Sequence, residues 1–292
     1  MKQIQFAPTK TVVTIGNFDG LHKGHLKLIE KTTTLSKQKN YKSLVCNFDS
    51  NTKGSPLISQ KSALKSSLKE LGVDFLVTLN FEEEIKNLSC ETFAKDYLKK
   101  RFQAEVVIVG ENFRFGTQQS GDINTLKELG TLYGFSVVVM KTVFAGKSPL
   151  SSTRIRHWLL NGKVHLANRY LYQPFSVTQT VTRGYSAGGS ILSYPTANLS
   201  LPKDMLSLPF GVYQTETVIE NQTYPSITNI GYAPTLRKST PVIETHILNF
   251  SGDLYHKRIK VIFTKYIRKE RKFANLEALK KQIAKDISDC NF

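Results

Sequence analysis

Two patterns of apolar residues divide the chain near Pro174, and each pattern favours a different kind of sheet. Before Pro174, short β-branched runs alternate with longer amphipathic stretches. Apolar strands separated by helices are typical of a parallel sheet that is covered on both faces. The expected strands are 11–15, 43–48, 75–79, 106–109 and 135–140, and the expected helices are 60–71, 91–102 and 123–133, the last with Asp122 as N-cap.

After Pro174 the apolar residues alternate in short runs at 175–181, 211–219 and 259–263, separated by frequent Gly, Pro and Asn turns. This pattern predicts an antiparallel β domain. The apolar spacing within 275–287 predicts a final amphipathic helix that packs back on that domain.

Between the two patterns the sequence is helical. Ser151-Ser152 can cap a helix over 153–161, and a further short helix is expected over 164–172. The predicted domains are therefore 1–172 and 173–292.

The chain is strongly basic, with 40 Lys and Arg against 23 Asp and Glu and a formal charge of +17. Such a charge is compatible with nucleic acid, an anionic membrane or polyanionic small molecules. The basic residues are dispersed, which favours solvated faces over a nucleic-acid patch. The three cysteines form no Cys-x-x-Cys pair, so neither a disulfide framework nor a zinc site is indicated. Without a signal pattern or an apolar run of membrane-spanning length, we expect a cytoplasmic protein with no membrane partner.

The glycine-rich segment 16–25 lies between a predicted strand and a predicted helix. Backbone N–H groups and the helix dipole favour an anion at such a helix start. Its glycines allow close approach of a phosphate, and the imidazoles of His22 and His25 can donate hydrogen bonds to phosphate oxygens. The segment is therefore a candidate site for the phosphates of a nucleotide.

Segment 16–25 resembles the G-x-F-D-G-x-H-x-G-H signature of the FMN adenylyltransferase module in prokaryotic bifunctional riboflavin kinase/FAD synthetases. Segment 109–116, followed by Gly121-Asp122, is similar to the flavin-binding segment of that family. Segment 151–156 resembles its S-S-T-x-I-R motif. The resemblance implies a Rossmann-like nucleotidyltransferase domain with a parallel sheet.

The resemblance also implies roles for individual residues. His22 and His25 would contact the α-phosphate of ATP, and Asp19 would either orient the turn or help to hold magnesium. Asn112 would position the phosphate or the ribityl chain of FMN. Ser152 could equally be an ordinary N-cap, and Phe113 and Phe115 could equally be core aromatics. The full predicted sets are Gly16, Phe18, Asp19, Gly24, Ser152, Thr153 and Arg156 for ATP, and Asn112, Phe113 and Arg114 for flavin.

The part after Pro174 resembles the riboflavin kinase module of the same family. Segment 194–199 contains its P-T-A-N motif, 229–235 resembles N-I-G-x-x-P-T, and 244–250 resembles E-T-H-I-L-x-F. The resemblance implies an antiparallel β-barrel with a terminal helix. Thr196 and Asn198 would be ligands of Mg²⁺, and Glu244 would accept the proton of the riboflavin 5′-hydroxyl.

Two segments depart from the family. At 48–52 the family has phenylalanine-aspartate-proline-histidine-proline, whereas this chain has Ser50-Asn51 and lacks that histidine. Segment 189–193 carries Ser190 and Ser193 in place of the arginine and second glycine of the family's G-R-x-x-G flap. These changes put the full activity of each module in question.

The leading hypothesis is a bifunctional enzyme that phosphorylates riboflavin with ATP to give FMN and then adenylylates FMN to FAD, releasing pyrophosphate. Mg²⁺ would serve both reactions. Riboflavin, FMN and ATP are the expected partners, and self-association is left open. Two alternatives remain: a homologue with one competent module, and a flavin-sensing, RNA-binding regulator.

Overall fold

The computed structural model describes residues 1–49, 56–80, 85–182, 196–232, 241–290 and 292, with the backbone alone at Tyr232 and Leu276. The chain forms two compact units, Met1–Ser152 and Thr153–Phe292. The segments that depart from the family, at 50–52 and 189–193, lie outside the described residues.

The N-terminal unit is built on a six-stranded sheet in the order β1-β4-β3-β2-β5-β6, and all its strand pairs are parallel. The predicted parallel α/β fold is confirmed. Its central strand β2 is buried along its length except at Gly16, as expected for an apolar run covered on both faces. The strands are β1 (Lys2–Gln3), β2 (Thr11–Gly16), β3 (Lys42–Asp49), β4 (Phe75–Asn80), β5 (Ala104–Gly110) and β6 (Ser136–Met140).

The helices of this unit connect the parallel strands. Asp122 caps its helix as predicted, accepting from the backbone N–H groups of Asn124 and Thr125. The predicted helix over 91–102 differs, because most of it winds in wider π-helical turns that keep the buried Phe93 and Leu98 on one side. The helices are α1 (Lys23–Gln38), α2 (Lys61–Glu70), α3 (Cys90–Thr92, continued as the π-helical Phe93–Arg101) and α4 (Ile123–Tyr133).

A short hairpin of β7 (Phe144–Ala145) and β8 (Ser148–Pro149) leads into α5 (Ser152–Leu160) and α6 (Val164–Asn168). The side chain of Asn168 at the end of α6 donates to the carbonyl of Phe263 at 2.8 Å. The two compact units divide between Ser152 and Thr153, so α6 and most of α5 are assigned to the C-terminal unit, and the domain boundary expected at 172 stays a prediction.

The C-terminal unit is an antiparallel sheet in the order β10-β13-β12-β11-β14-β9. An isolated bridge between Thr182 and Asn198 joins its two edges, which makes the predicted barrel nearly closed. The strands are β9 (Ser176–Thr180), β10 (Thr196–Ser200), β11 (Gly211–Ile219), β12 (Gln222–Tyr232), β13 (Pro241–Ile247) and β14 (Arg258–Arg268). The final helix α7 (Leu276–Ser288) is capped by Asn275.

Five hydroxyl side chains lie inside the barrel, where the alternating sequence pattern alone would place apolar residues. They are fully buried and linked from strand to strand by hydrogen bonds of 2.8–2.9 Å. Because each hydroxyl has a partner, their burial is compatible with a stable core. They are Thr215, Thr217, Ser226, Thr228 and Thr245. Among the described helices, none is both long enough and apolar enough to cross a membrane.

Candidate active sites

The predicted phosphate and flavin segments of the N-terminal unit both lie at the carboxyl ends of the strands. From β2 the chain proceeds to β3 and β4 on one side, whereas β5 and β6 lie on the other. Parallel sheets bind ligands at such a switch point, outside the carboxyl ends of the strands. Residues 16–25 follow β2, and Asn112 follows β5, so both segments flank this position.

His22 caps the first turn of α1. Its Nδ1 accepts from the backbone N–H of Gly24 at 3.2 Å and of His25 at 3.3 Å. Burial lowers the pKa of His22 to about 4, with its backbone hydrogen bond opposing the shift. The ring is therefore neutral at pH 7, and because Nδ1 accepts, the proton is assigned to Nε2. His22 offers an N–H donor rather than a positive charge.

His25 lies directly against His22. The two rings stack with centroids 3.7 Å apart, and the edge of Phe18 supports His25 at 5.1 Å. Burial, and then the nearby His22, hold the pKa of His25 well below its usual value. Within the described part of the chain, its buried Nδ1 has no hydrogen-bond partner. Since buried polar atoms are nearly always paired, Nδ1 of His25 is a candidate hydrogen-bonding atom for a bound group.

Two glycines of the segment are closely surrounded. A Cβ on Gly24 would lie 3.0 Å from Cε1 of His22, so a side chain there would require the capping ring to shift. Gly20 has a φ of +68°, and a Cβ there would lie 2.6 Å from Cγ2 of Ile58. At Gly16 a Cβ would make only an ordinary contact with Phe18. The ATP contacts predicted for Gly16, Phe18 and Gly24 remain predictions, and Phe18 itself is fully buried.

Asp19 connects this turn to two other segments. Its carboxylate accepts from the backbone N–H of Ile58 at 3.0 Å and of Ser59 at 3.2 Å. These contacts agree with the alternative in which Asp19 orients the turn. The backbone carbonyl of Asp19 accepts from Oγ of Ser152 at 3.1 Å. Ser152 therefore lies at the turn formed by residues 16–25, called the phosphate turn below. Thr153 is exposed and Arg156 is half-buried on α5, and their contacts with ATP remain predictions.

The predicted flavin residues lie at the surface after β5. The amide of Asn112 donates to Oγ1 of Thr142 at 3.3 Å, and Arg114 is exposed. Phe113 is half-buried and stacks on Phe115 at 5.6 Å. Phe115 belongs to the core, whereas Phe113 keeps part of its ring accessible.

A cavity of about 420 Å³ lies on the other side of the phosphate turn. It is lined at the strand ends by Asn17, Asn47 and Thr78 and on α2 by Lys61 and Lys65. Lys61 pairs with Asp49 at 2.8 Å. Sequence reasoning missed these two lysines because they belong to none of the recognised motifs; their position at the start of a helix after β3 was the only available signal.

In the C-terminal unit, strand register brings the predicted kinase residues together. Glu244 on β13 lies directly opposite Asn198 on β10, and Thr196 lies opposite His246 two residues along the same face. Opposite residues of an antiparallel pair have Cβ atoms roughly 5 Å apart. On its other side Glu244 is opposite Asn229 of β12, a residue for which the sequence suggested no role.

The oxygens on this face suit a hard cation. The Asn198 amide donates through Nδ2 to the carbonyl of Thr196 at 3.4 Å, and its Oδ1 accepts no hydrogen bond from the described residues. Thr196 is exposed. Hydroxyl and amide oxygens are ligands that Mg²⁺ accepts alongside phosphate oxygens. Among the described residues there is no cluster of three or more His, Cys, Asp or Glu side chains that could hold a metal.

Comparison with known proteins agrees with this division. The family model for FAD synthetase matches residues 4–154, and that for riboflavin kinase matches residues 171–291. A bifunctional riboflavin kinase/FMN adenylyltransferase from Buchnera aphidicola subsp. Schizaphis graminum is 35% identical, over 96% of this chain and 92% of the relative. A relative of the same name from Escherichia coli strain K12 is 32% identical, over 94% of this chain and 90% of the relative. A solved Streptococcus pneumoniae structure, described as a macrolide-efflux protein, has a TM-score of 0.88 at 27% identity and covers 98% of this chain and 97% of its own. With both family models matched in order along the chain and these relatives aligned over nearly its whole length, the chain belongs to the bifunctional riboflavin kinase/FMN adenylyltransferase family.

Proposed function

We propose that each unit carries one of the two reactions of this family. The chain phosphorylates riboflavin with ATP to give FMN and ADP, then adenylylates FMN with a second ATP to give FAD and pyrophosphate. The first reaction belongs to the barrel around Glu244 and the second to the parallel-sheet unit around His22 and His25. The observation that carries this proposal is the presence of two separate side-chain clusters, each within its own matched region.

In the adenylyl transfer, an oxygen of the FMN phosphate attacks the α-phosphorus of ATP, and the bond from that phosphorus to the bridging oxygen breaks as pyrophosphate leaves. The Nε2–H of His22 donates to an α-phosphate oxygen as its charge grows, and His25 adds the adjacent donor. Because the low pKa values of both histidines keep them neutral at pH 7, positive charge must come from elsewhere. We assign it to Arg156, which with Ser152 and Thr153 binds the β- and γ-phosphates.

The FMN substrate of this step is assigned to the segment after β5. Asn112 binds the phosphate or ribityl chain, the accessible part of Phe113 contacts the flavin, and Arg114 supplies charge near the phosphate. Support comes from the pairing of β5 with β2, since the segment after β5 and the segment after β2 begin at neighbouring strand ends.

In the kinase reaction, the riboflavin 5′-oxygen attacks the γ-phosphorus and the bond to the β–γ bridging oxygen breaks, releasing ADP. Glu244 accepts the hydroxyl proton. Thr196 and Asn198 hold Mg²⁺, which neutralises charge on the ATP phosphates. Support comes from the register that sets Asn198 opposite Glu244. Because both reactions consume ATP, we assign the protein to the cytoplasm.

The test is to incubate the purified chain with riboflavin and Mg-ATP and to separate the flavins over time. FMN should form first and FAD should follow. Accumulation of FMN without FAD would leave only the kinase competent, and absence of FMN would contradict the kinase assignment. No turnover at all, together with tight RNA binding that weakens steeply with salt, would favour a regulatory protein instead.

A further inference from the structure

We propose that Glu270 is a positioning residue for the kinase reaction and that it acts through Asn229. The inference rests on the proposed role of Glu244. Glu270 lies two residues after the end of β14 and belongs to none of the candidate sets assigned above. Two features of β12 converge on its carboxylate, one at Asn229 and one at Gly231.

The first feature is a hydrogen bond, in which Nδ2 of Asn229 donates to Oε1 of Glu270 at 3.0 Å. The second is a notch at Gly231, two residues further along the same face of β12. A Cβ at Gly231 would overlap Oε1 and crowd the rest of the Glu270 carboxyl. The carboxylate can therefore reach Asn229 only because residue 231 is glycine.

The carboxylate selects one orientation of the Asn229 amide. An ionised carboxylate only accepts hydrogen bonds, so it holds Nδ2 toward itself and turns Oδ1 to the opposite side. That Oδ1 accepts no hydrogen bond from the described residues. Since Asn229 lies directly opposite Glu244, the Glu270 contact leaves an acceptor rather than a donor free at the catalytic face.

Loss of Glu270 would allow the amide to rotate and present Nδ2 to Glu244. A hydrogen bond donated to the charged carboxylate stabilises it and makes it a weaker proton acceptor. The donor would also compete with the riboflavin hydroxyl for the same oxygens. Glu270 thus keeps the Asn229 donor turned away from Glu244.

An ion pair anchors the end of β14, two residues before Glu270. Arg268 donates to both oxygens of Asp286 on α7, through Nε at 2.9 and 3.0 Å and through Nη2 at 2.6 Å. Asp286 is buried, so this pair ties the end of β14 to the terminal helix just before Glu270.

The experiment measures kcat and KM for FMN formation in Glu270→Ala, Asn229→Ala and their double variant. Glu270→Ala should lower kcat about tenfold with little effect on the KM for ATP. Asn229→Ala should stay within about twofold of wild type, because it leaves no amide to turn toward Glu244. For the same reason the double variant should recover most of the rate that Glu270→Ala loses. Glu270→Gln, which can still accept from Asn229, should recover most of the rate. Gly231→Ala should lower kcat in the wild-type chain but not in the Glu270→Ala background.

Two controls separate positioning from folding. Conversion of added FMN to FAD by the same proteins should stay within about twofold of wild type, since that reaction uses the other unit. Glu220, an exposed acid that pairs with Lys257 at 2.9 Å on the same barrel, provides a matched Glu220→Gln variant that should leave kcat unchanged.

The inference is overturned if Glu270→Ala is as fast as wild type, or if the Glu270→Ala/Asn229→Ala double variant is as slow as Glu270→Ala. A wild-type chain that makes no FMN would overturn the kinase assignment and this inference with it. An active wild-type chain that is indifferent to Glu270 would overturn this inference alone.

Discussion

The two histidines of the phosphate turn are neutral donors, and this property comes from burial that their sequence spacing does not reveal. The sequence predicts that His22 and His25 lie at a helix start, and the structure confirms that position. It also shows His22 as the cap of its own helix, a role usually taken by Ser, Thr, Asp or Asn. One imidazole therefore holds the helix start through Nδ1 and carries its N–H on the opposite nitrogen, where we propose that it donates to a phosphate.

Acid should weaken the N-terminal unit through His22. Its pKa is about 4 in the folded chain against 6.5 when unperturbed, so the unfolded chain takes up the proton first as pH falls. The stability due to neutral His22 is complete above pH 6.5 and is lost toward pH 4, a change of roughly 3 kcal/mol. His22→Asn keeps a capping oxygen but does not titrate.

Hydrogen exchange of the α1 amides at pH 7.5 and 4.5 measures this effect. The free energy of opening should fall more between the two pH values in wild type than in His22→Asn, by about 2 kcal/mol. Equal losses in both proteins would contradict the assignment of the acid sensitivity to His22.

Gly20 is expected to tolerate no side chain. Gly20→Ala would place a methyl group 2.6 Å from Cγ2 of Ile58 in a buried turn with a φ of +68°. The matched control is Gly72→Ala, because Gly72 has a similar φ of +75° but no atom near the added Cβ. Backbone strain of about 1 kcal/mol is common to both, and overpacking should add 1–3 kcal/mol at Gly20 alone. Equal changes in the free energy of unfolding would show that Ile58 moves aside freely.

At the scale of elements, the sequence predicts those that have a clear apolar period. The expected helix over 123–133 and strand over 211–219 coincide with the observed elements. The two-residue strands β1, β7 and β8 were missed, since two residues carry no period and pair only through tertiary contacts. From the apolar pattern alone, the hydroxyl residues inside the barrel would be assigned to the surface. Only the cross-strand register shows that their hydroxyls form hydrogen bonds with one another.

The terminal helix α7 depends on a buried ion pair. Asp286→Ala would leave the Arg268 guanidinium without its partner and should cost the C-terminal unit about 3 kcal/mol. Replacing both residues, as in Arg268→Met with Asp286→Leu, should recover part of that loss. Trp158 is the single tryptophan of the chain and lies in this unit, so its fluorescence in denaturant measures the change.

The control for this pair is Glu220→Ala, which breaks an exposed pair with Lys257 and should change the free energy of unfolding by less than about 1 kcal/mol. Equal effects of the Asp286 and Glu220 changes would show that burial of the Arg268–Asp286 pair does not make its loss more costly.

At the scale of the whole molecule, the motifs located both candidate sites, and the structure adds their supporting residues. Thr196 and Asn198 were predicted from one motif and Glu244 from another, and strand register shows that the three lie on one face. Asn229, Glu270 and Lys61 could not be assigned, since their positions depend on contacts between segments distant in sequence.

Two variants should separate the activities in opposite ways. Glu244→Ala should abolish FMN formation while conversion of added FMN to FAD continues, because the proton acceptor is lost from one unit only. His25→Ala should still make FMN from riboflavin but should lose most FAD formation. Chromatography of the flavins from each variant checks both outcomes. A folded variant that loses both reactions would contradict the assignment of one reaction to each unit.

Mixing these two variants tests whether FMN travels between the sites through solution. The His22–His25 pair and Glu244 lie in different compact units, and the two proposed sites share no residue, so the two reactions need only a diffusing intermediate. An equimolar mixture of Glu244→Ala and His25→Ala should therefore make FAD from riboflavin, after a lag in which free FMN accumulates. With half of the chains competent for each step, the steady rate should approach half that of wild type at the same total concentration. The Glu244→Ala/His25→Ala double variant should make neither product, and a mixture that forms FMN but no FAD would show that FMN must be passed within one chain.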